Sequence, residues 1–212
     1  MLENVISINT SKPSPIIVNE KVAIPRRKKN IDLRPREYLT ESEIDLLMKA
    51  AKNTGRHRHR DYTLILIAYR HALRVSELVG LRWDSVDLEQ GLIHIRRLKG
   101  GVPSTHPISG GEIRALRQLK RKSDISPYVF TTERKGPITA STVRKMIARA
   151  GINAGIEFSV HPHMLRHSTG FKLANDGQDT RAIQHYMGHR NIQHTVRYTE
   201  LTSDRFKGFW KD

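Results

Sequence analysis

The chain has no cysteine. Disulfide bonds and thiolate metal sites are therefore excluded, and a reducing compartment such as the cytoplasm suits it. It also has no uninterrupted apolar run near the length of about 20 residues that crosses a bilayer, and its N-terminus lacks the continuous apolar core of a signal peptide. These absences predict a soluble cytoplasmic protein that makes no use of a membrane.

Acidic residues are too few to balance the basic ones. The sequence has 21 Asp and Glu against 37 Lys and Arg, a formal net charge of +16 over 212 residues. Such an excess predicts a polyanionic partner. Arginine outnumbers lysine by 23 to 14, which favours nucleic acid because the planar guanidinium binds phosphate with two parallel hydrogen bonds. The alternative is a basic protein that adheres to any acidic surface.

The length suits one sizeable domain with short appendages. Residues 1–36 show no sustained helical period and contain four prolines and the basic run Arg26, Arg27, Lys28 and Lys29. We predict a flexible arm there, with the basic run as a candidate DNA-binding segment or, equally, a solvated tail. Residues 37–200 form the predicted folded domain, and residues 201–212 a C-terminal tail.

Apolar periodicity predicts a mainly α-helical domain with one small antiparallel β-sheet, an α+β fold. Thr40 and Glu43 have the spacing of a capping box at the start of the first helix. Further helices are predicted at 61–73, 75–81, 110–122, 139–154, 162–176, 180–187 and 192–200. Alternation predicts strands at 92–97 and 104–108, joined by a hairpin turn at Lys99, Gly100 and Gly101.

Two candidate catalytic residues, Arg74 and Lys99, lie in the first half of the chain. Arg74 lies at the break between two predicted helices, where its side chain can reach out of the core, and Glu77 is close enough to brace its guanidinium. Lys99, at the tip of the predicted hairpin, can place one ammonium in a groove and donate a proton if its pKa falls. Taken singly, Arg74 is more simply interpreted as an ordinary surface arginine, and Lys99 as a lysine that keeps a hairpin turn soluble.

Two more candidates share one helix. His163 and Arg166 follow Pro162, which suits a first helical turn, and their spacing of three places them on one helix face. The pattern His-x-x-Arg occurs five times in this chain, whereas roughly one match is expected by chance. The pattern itself therefore decides nothing, and the helix start at Pro162 is what distinguishes His163.

The last two candidates lie near the C-terminus. Gly188 is predicted to end one helix, which places His189 in a tight turn before the next. In that last helix Ile192, Val196 and Thr199 share a face, so we expect Tyr198 on a different one. The alternative for His189 is a structural histidine that hydrogen-bonds to the backbone. The alternative for Tyr198 is a tyrosine that only packs.

Taken in order, these residues resemble the pattern Arg, Lys, His-x-x-Arg, His or Trp, Tyr of the tyrosine recombinase (phage integrase) family. The resemblance covers residues 38–200, essentially the whole predicted domain. It implies a site-specific DNA recombinase that cuts and rejoins DNA through Tyr198, with a 3′-phosphotyrosyl intermediate and a free 5′-hydroxyl. It also implies that no cofactor, metal or ATP takes part.

The resemblance gives each residue a role. Arg74 and Arg166 would match the charge on the nonbridging phosphate oxygens in the transition state. His163 would take or return the proton of the nucleophile, Lys99 would protonate the leaving 5′-oxygen, and His189 would donate a hydrogen bond to the phosphate.

Typical members of the family carry a separate N-terminal DNA-clamping domain, which we do not find ahead of residue 37. In this respect the chain is similar to the short bacterial recombinases that invert a promoter-bearing DNA segment controlling fimbrial expression, although integration or excision is equally compatible. The resemblance implies double-stranded DNA with paired recombination sites, a homo-oligomer on DNA (a tetramer) and accessory DNA-bending proteins. It places the protein at the bacterial nucleoid.

The predicted tail contains three aromatic residues, Phe206, Phe209 and Trp210. Such a patch can dock on a neighbouring protomer or cover the protein's own core. Two other function classes remain compatible with the sequence. One is a catalytically silent DNA-binding regulator with the same fold, and the other is a type IB-like topoisomerase that uses the same covalent chemistry to relax supercoils.

Overall fold

The computed structural model describes residues 36–98, 100–122 and 126–200. Three features singled out in the sequence lie outside the described residues: the basic run Arg26, Arg27, Lys28 and Lys29, the candidate proton donor Lys99, and the tail with Phe206, Phe209 and Trp210.

Within these ranges the chain forms eight α-helices and one three-stranded antiparallel sheet, which confirms the predicted fold class. The helices are α1 (Glu41–Asn53), α2 (Arg58–Arg70), α3 (Val75–Val79), α4 (Gly110–Lys122), α5 (Ala140–Asn153), α6 (Pro162–Asn175), α7 (Thr180–Met187) and α8 (Gln193–Thr199). The strands are β1 (Val86–Asp87), β2 (Leu92–Ile95) and β3 (Ser104–Pro107). Each predicted helix forms, with its ends shifted by a few residues at most.

Local signals in the sequence explain where the helices begin. Thr40 and Glu43 form the predicted capping box: Glu43 N–H donates to Thr40 Oγ1 at 3.3 Å, and Thr40 N–H donates to Glu43 Oε2 at 2.8 Å. Pro162 occupies the first turn of α6, where its missing N–H costs nothing. The Asp179 carboxylate accepts from two backbone N–H groups in the first turn of α7.

The sheet departs from the prediction in two ways. It has a third strand, β1, that pairs with β2 through Val86 and Ile93, and two residues are too few to show alternation in a sequence. In addition, β2 ends at Ile95 and not at residue 97, so the connection to β3 is longer than predicted. A turn does form at the predicted place, where Gly101 N–H donates to the Leu98 carbonyl at 3.4 Å. The early end of the strand has a cause in the next residues. The reason is Arg97, whose side chain turns into the protein interior, where its exposed fraction is 0%.

The core has two parts. The larger one fills the space between α1, α2, α5 and the sheet, and its fully buried members include Leu47, Ile65, Ile93, Leu116, Phe130 and Ile147. The smaller one lies between α6, α7 and α8 and consists of Ala72, Ala174, Ile183, Met187 and Tyr198. The smaller core therefore holds the turn before Arg74 and the candidate nucleophile in one packed unit. Among the described residues, no helix is long and apolar enough to cross a bilayer.

Gly151 permits the close packing of α5 on the segment that leads into α6. A Cβ at Gly151 would lie 2.6 Å from Val160 Cγ2, below any normal contact, and Val160 is fully buried. We expect Gly151→Ala to lower the free energy of unfolding by about 1–3 kcal/mol because of overpacking. Urea denaturation measures this change. Gly136→Ala is the matched control, since no atom lies within 4 Å of a Cβ there. Equal stability of the two variants would contradict the packing argument.

Candidate active site

Arg166 is a buried cation in the middle of α6, with an exposed fraction of 2%. Its Nη1 donates to the carbonyl of Ala72, and its Nη2 donates to the carbonyl of Met187 at 2.7 Å. Burial lowers the pKa of Arg166 to about 9, with further lowering by the positive charges of Arg74 and Arg97. The guanidinium is therefore still charged at neutral pH and is fixed by two backbone segments.

Arg74 immediately precedes α3, at the helix break predicted from the sequence. Its Nη1 donates to Glu77 Oε1 at 2.8 Å, and its backbone N–H donates to Glu77 Oε2 at 3.0 Å. Burial alone would raise the pKa of Glu77, but the Arg74 N–H and the charge of Arg97 hold it below its usual value. Glu77 thus stays ionised and fixes the base of Arg74, whose side chain remains about a quarter exposed at 27%.

His189 lies in the turn between α7 and α8. Gly188 ends α7, as predicted, and its φ of 63° lies in the left-handed region that favours glycine. His189 Nδ1 is 2.9 Å from Thr195 Oγ1, and Gln184 Nε2 donates to the His189 carbonyl at 3.1 Å. Burial, followed by the charges of Arg166 and Arg74, lowers the pKa of His189 to about 3. The ring is therefore neutral and can serve as a hydrogen-bond donor.

Tyr198 is almost completely buried, with an exposed fraction of 2%. Its hydroxyl is 2.9 Å from His167 Nδ1, and its ring fills the space left by Gly170, where a Cβ would lie 2.8 Å from ring atoms. Burial raises the pKa of Tyr198, while the charge of Arg166 opposes the rise. In the resting protein the phenol is therefore protonated and held in place on both sides.

Tyr198 lies on a different face of the last helix from Ile192, Val196 and Thr199, as predicted, but the face of Tyr198 is the more buried one. Thr195 and Tyr198 are its buried residues, whereas Ile192, Val196 and Thr199 are only partly buried. The reason is that Tyr198 packs into the small core and Thr195 bonds His189, so polar contacts, and not the apolar stripe, orient α8.

His163 lies at the exposed start of α6, one turn before His167. The two rings meet edge to face, with their centroids 4.4 Å apart. Loss of hydration and then the charge of Arg166 lower the pKa of His163. The neutral ring is available to accept a proton at neutral pH.

Five of the six predicted catalytic residues therefore lie in one region of the fold, and the sixth, Lys99, lies outside the described residues. The rings of His189 and Tyr198 stack with their centroids 6.4 Å apart, and Arg166 is close enough to influence the pKa of both. A cleft of about 650 Å³ opens beside Arg74 and His189, the two of these residues that line it. Its lining includes Arg74, Gly100, Gly101, Arg181, His189 and Arg190.

Two residues of this region were not predicted from the sequence. His167 directly follows Arg166, but its contact with Tyr198 joins residues 31 positions apart and leaves no local signal. Burial and then the charge of His163 lower the pKa of His167 to about 3, so the ring is unprotonated and its Nδ1 can accept a hydrogen bond from the Tyr198 hydroxyl. The second residue is Arg97, which is buried beside Glu77. In the sequence it is the last residue of a predicted strand and of one of the five His-x-x-Arg matches, and neither pattern indicates that its cation is buried.

A buried histidine pair lies behind the site. His106 Nδ1 is 3.2 Å from His71 Nδ1, and His71 Nε2 is 2.9 Å from Glu112 Oε1. The His106 ring stacks on Tyr186, with centroids 3.8 Å apart, and its Nε2 is 2.9 Å from Ser104 Oγ. Burial, then the charges of His71 and Arg97, lower the pKa of His106 to about 3.

Comparisons with known proteins agree with this geometry. Residues 37–205 match the family described as Phage integrase family. The type 1 fimbriae regulatory protein FimB of Escherichia coli K12 is 45% identical over 188 residues, which are 86% of this chain and 94% of FimB. The type 1 fimbriae regulatory protein FimE of the same strain is 43% identical over 182 residues, 83% of this chain and 91% of FimE.

Solved structures show the same fold. The crystal structure of XerA recombinase superposes with a TM-score of 0.70 at 30% identity, over 78% of this chain and 61% of XerA. XerH site-specific recombinase bound to its difH substrate superposes with a TM-score of 0.68 at 22% identity, over 77% of this chain and 50% of XerH. The chain thus spans little more than half the length of these two recombinases.

Protonation of the buried histidines should unfold the protein in acid. Because the pKa of His106 is about 3 when folded and about 6.5 when unfolded, the unfolded chain binds the extra proton between these values. The contribution of His106 to stability is then complete above about pH 6.5 and falls as the pH is lowered, by up to about 1.4 kcal/mol per pH unit for each such histidine.

Urea denaturation between pH 7 and 4 measures this dependence. The free energy of unfolding should fall less steeply with decreasing pH in His106→Gln than in the unmodified protein. The control is His94→Gln, since His94 is exposed, and equal slopes for both variants would contradict the argument.

Proposed function

Since the chain belongs to the phage integrase (tyrosine recombinase) family and is a site-specific DNA recombinase, we propose that it cuts and rejoins DNA through a 3′-phosphotyrosyl bond at Tyr198. The observation that carries this proposal is that Arg74, Arg166 and His189 lie around Tyr198, and that Arg74 and His189 also line a basic cleft. A scissile phosphate in the cleft would meet Arg74 and His189 directly. It would reach Arg166 and Tyr198, each only 2% exposed, once these side chains become accessible.

The proposed step is an in-line displacement at phosphorus. The Tyr198 oxygen forms a bond to phosphorus while the bond from phosphorus to the 5′-oxygen breaks. Arg74 and Arg166 stabilise the charge that grows on the nonbridging oxygens, and loss of either should cost several kcal/mol of transition-state stabilisation. His189 adds a hydrogen bond to the same phosphate.

Two proton transfers accompany the displacement. His163 is assigned to take the Tyr198 proton, and its lowered pKa keeps it neutral for that purpose. His167 contacts the hydroxyl directly, and the His163 ring meets the His167 ring edge to face. Lys99 is assigned to protonate the 5′-oxygen, and its neighbours Gly100 and Gly101 line the cleft. The reverse sequence rejoins a 5′-hydroxyl from a partner strand, without ATP or metal.

The outcome that we propose is inversion of a promoter-bearing segment. FimB and FimE are named regulatory proteins of type 1 fimbriae, and the similarity extends over more than nine tenths of each. Integration or excision uses the same chemistry on sites arranged differently. The proposed partners are double-stranded DNA with paired sites, further copies of this chain as a tetramer, and accessory DNA-bending proteins at the bacterial nucleoid. In this proposal Arg26, Arg27, Lys28 and Lys29 contact the DNA backbone.

We further propose that the tail, residues 201–212, docks on a neighbouring protomer. A groove of about 330 Å³ lies between α1, α2, α6 and α7. Its lining combines the apolar side chains of Ile44, Met48 and Leu173 with three carboxylates and two cations, namely Glu41, Asp45, Asp176, Arg70 and Lys172. Lys172 pairs with Glu41 and Asp176, so Asp45 is the carboxylate proposed to meet the basic residues of the tail. The tail has matching chemistry, with the aromatic residues Phe206, Phe209 and Trp210 among the basic residues Arg205, Lys207 and Lys211.

A covalent-trapping assay tests the nucleophile. The protein is incubated with DNA from its own genetic neighbourhood, nicked so that the leaving strand diffuses away, and the products are separated on a denaturing gel. We expect a protease-sensitive adduct with the unmodified protein and none with Tyr198→Phe. Tyr62→Phe is the matched control, because Tyr62 lies on α2, away from the cleft, and should form the adduct normally.

Each contrary outcome of this assay has a distinct meaning. An adduct that persists in Tyr198→Phe would place the nucleophile elsewhere. Tight binding without any adduct would favour the catalytically silent regulator. Relaxation of any supercoiled plasmid, regardless of its sequence, would favour the topoisomerase.

Docking of the tail predicts a defect confined to assembly. Replacing Phe209 and Trp210 together by alanine should reduce the number of protomers that assemble on a two-site DNA, measured by analytical ultracentrifugation. The melting temperature of the free protein should stay unchanged. Ile152→Ala, which removes an apolar side chain that is 76% exposed on α5, is the control. A lowered melting temperature with normal assembly would show instead that the tail covers the protein's own core.

A further inference from the structure

Arg97 is a buried cation that takes no direct part in the proposed chemistry. Its side chain has an exposed fraction of 0%, so it cannot contact DNA in this arrangement. Its Nη1 donates to Glu77 Oε2 at 3.0 Å. Its Nη atoms also donate to three backbone carbonyls, those of His71, Ala72 and Tyr186. A buried guanidinium is costly to desolvate and persists only when a counter-charge and several acceptors compensate it.

The counter-charge, Glu77, is shared between Arg97 and Arg74. Arg74 Nη1 donates to Glu77 Oε1 at 2.8 Å, while Arg97 binds the other carboxylate oxygen. Two positive charges therefore enclose one negative charge, which leaves this group of three with a net charge of about +1. Glu77 is 1% exposed, so water screens these charges weakly. Arg74, at 27% exposed, is the member that lines the cleft.

Loss of the Arg97 charge would change what Arg74 offers to a phosphate. The Glu77 carboxylate would then offset the charge of Arg74, and the pair would be neutral toward an anion in the cleft. Arg74 would keep its place, because its Nη1 and its backbone N–H both bind Glu77 without help from Arg97. The expected consequence is therefore a loss of charge and not a loss of contact.

The Arg97 charge also lies close to the second phosphate-binding arginine. The carbonyl of Ala72 accepts from both Arg97 and Arg166. Burial, and then the charges of Arg74 and Arg97, lower the pKa of Arg166. Like charges this close are unfavourable in the free protein, and an anion in the cleft relieves their repulsion. A phosphate would therefore gain from Arg97 without touching it.

The position of this charge is fixed by two close backbone approaches. A Cβ on Gly188 would lie 2.7 Å from Arg97 Cγ, and a Cβ on Gly101 would lie 2.8 Å from Arg97 Cβ. Both loops thus have glycine where any larger residue would meet the Arg97 side chain. A charge that is held in place before the reaction needs no rearrangement when negative charge develops on the substrate.

We propose that Arg97 is a positioning residue that neutralises Glu77, so that Arg74 presents its full positive charge to the scissile phosphate. The inference rests on the proposed function, in which negative charge grows on the nonbridging oxygens as Tyr198 bonds to phosphorus. Arg97 acts through Glu77 and touches no reacting atom. Its effect on the rate should therefore depend on the charge of the substrate.

The test compares two nicked substrates that differ at the scissile phosphorus. One has the normal phosphodiester, and in the other a methyl group replaces one nonbridging oxygen, which gives a neutral methylphosphonate. The rate of adduct formation at Tyr198 is measured on each substrate in a single turnover. Loss of positive charge lowers the ratio of the phosphodiester rate to the methylphosphonate rate. A general disturbance of the site slows both substrates alike and leaves this ratio unchanged.

We expect Arg97→Met to lower the ratio by on the order of 10-fold, less than the 100-fold or more lost with a donor that touches the developing charge. Arg74→Ala should lower it further. Arg97→Lys keeps the charge and should restore most of the ratio, whereas Arg97→Gln, which donates hydrogen bonds without a charge, should match Arg97→Met. Arg96→Met, which changes an exposed neighbour, should leave the ratio unchanged.

A double variant separates charge from packing. In Arg97→Met combined with Glu77→Gln the uncompensated carboxylate is gone, and the amide oxygen can still accept from Arg74. We therefore expect the ratio to return toward that of the unmodified protein, although two polar contacts in the interior have been lost. Because each ratio is taken within one protein, it does not depend on the fraction of a variant that is folded.

The contrary outcomes are distinct. An unchanged ratio in Arg97→Met and Arg97→Gln would overturn the inference and make Arg97 a support of the fold alone. A ratio in the double variant as low as in Arg97→Met would overturn it also, because the loss would not come from the Glu77 charge. Absence of the Tyr198 adduct with the unmodified protein on the phosphodiester would overturn the proposed function itself.

Discussion

The Glu77 carboxylate lies between two guanidinium groups, and the geometry of the cleft depends on it. Its side chain is 1% exposed, and it accepts from Arg74 on one oxygen and from Arg97 on the other. A buried carboxylate is unfavourable alone, and so is a buried guanidinium, but together they remove most of the desolvation cost. Loss of Glu77 would leave Arg97 without a counter-charge and Arg74 without a fixed direction. Removal of either partner alone should therefore destabilise the fold, because the other charge would stay buried and unpaired.

The positive charges that suit a phosphate destabilise one another in the free protein. Besides burial, the charges of Arg74 and Arg97 lower the pKa of Arg166, and burial together with the charges of Arg166 and Arg74 lowers the pKa of His189. Glu77 compensates only part of this repulsion. A bound phosphate would supply the missing negative charge, so binding energy is available because the empty site is electrostatically unfavourable. The net charge of +16 extends the same argument to the whole DNA backbone.

The sequence predicted what short-range signals determine. The capping box at Thr40, the proline at the start of α6 and the glycine before His189 fix helix ends locally, and these elements form as expected. The order of the candidate residues likewise identified the family. The contacts of Arg97 and His167 escaped because each joins residues 20 or more positions apart, Glu77 with Arg97 and His167 with Tyr198. The burial of the Tyr198 face of α8 was not predicted for the same reason, since it depends on the Tyr198 contacts with α6.

The electrostatics of Tyr198 also constrain when its proton leaves. Burial raises the pKa of Tyr198, and only nearby positive charge, above all that of Arg166, opposes the rise. A phosphate that occupies the cleft neutralises that charge, so binding of the substrate removes the influence that favours the phenolate. The proton must therefore leave as the bond to phosphorus forms, when negative charge passes from the tyrosine oxygen to the phosphate. In the proposed reaction an unprotonated imidazole lies in contact with the hydroxyl, because burial first, and then nearby positive charge, lowers the pKa values of His163 and His167.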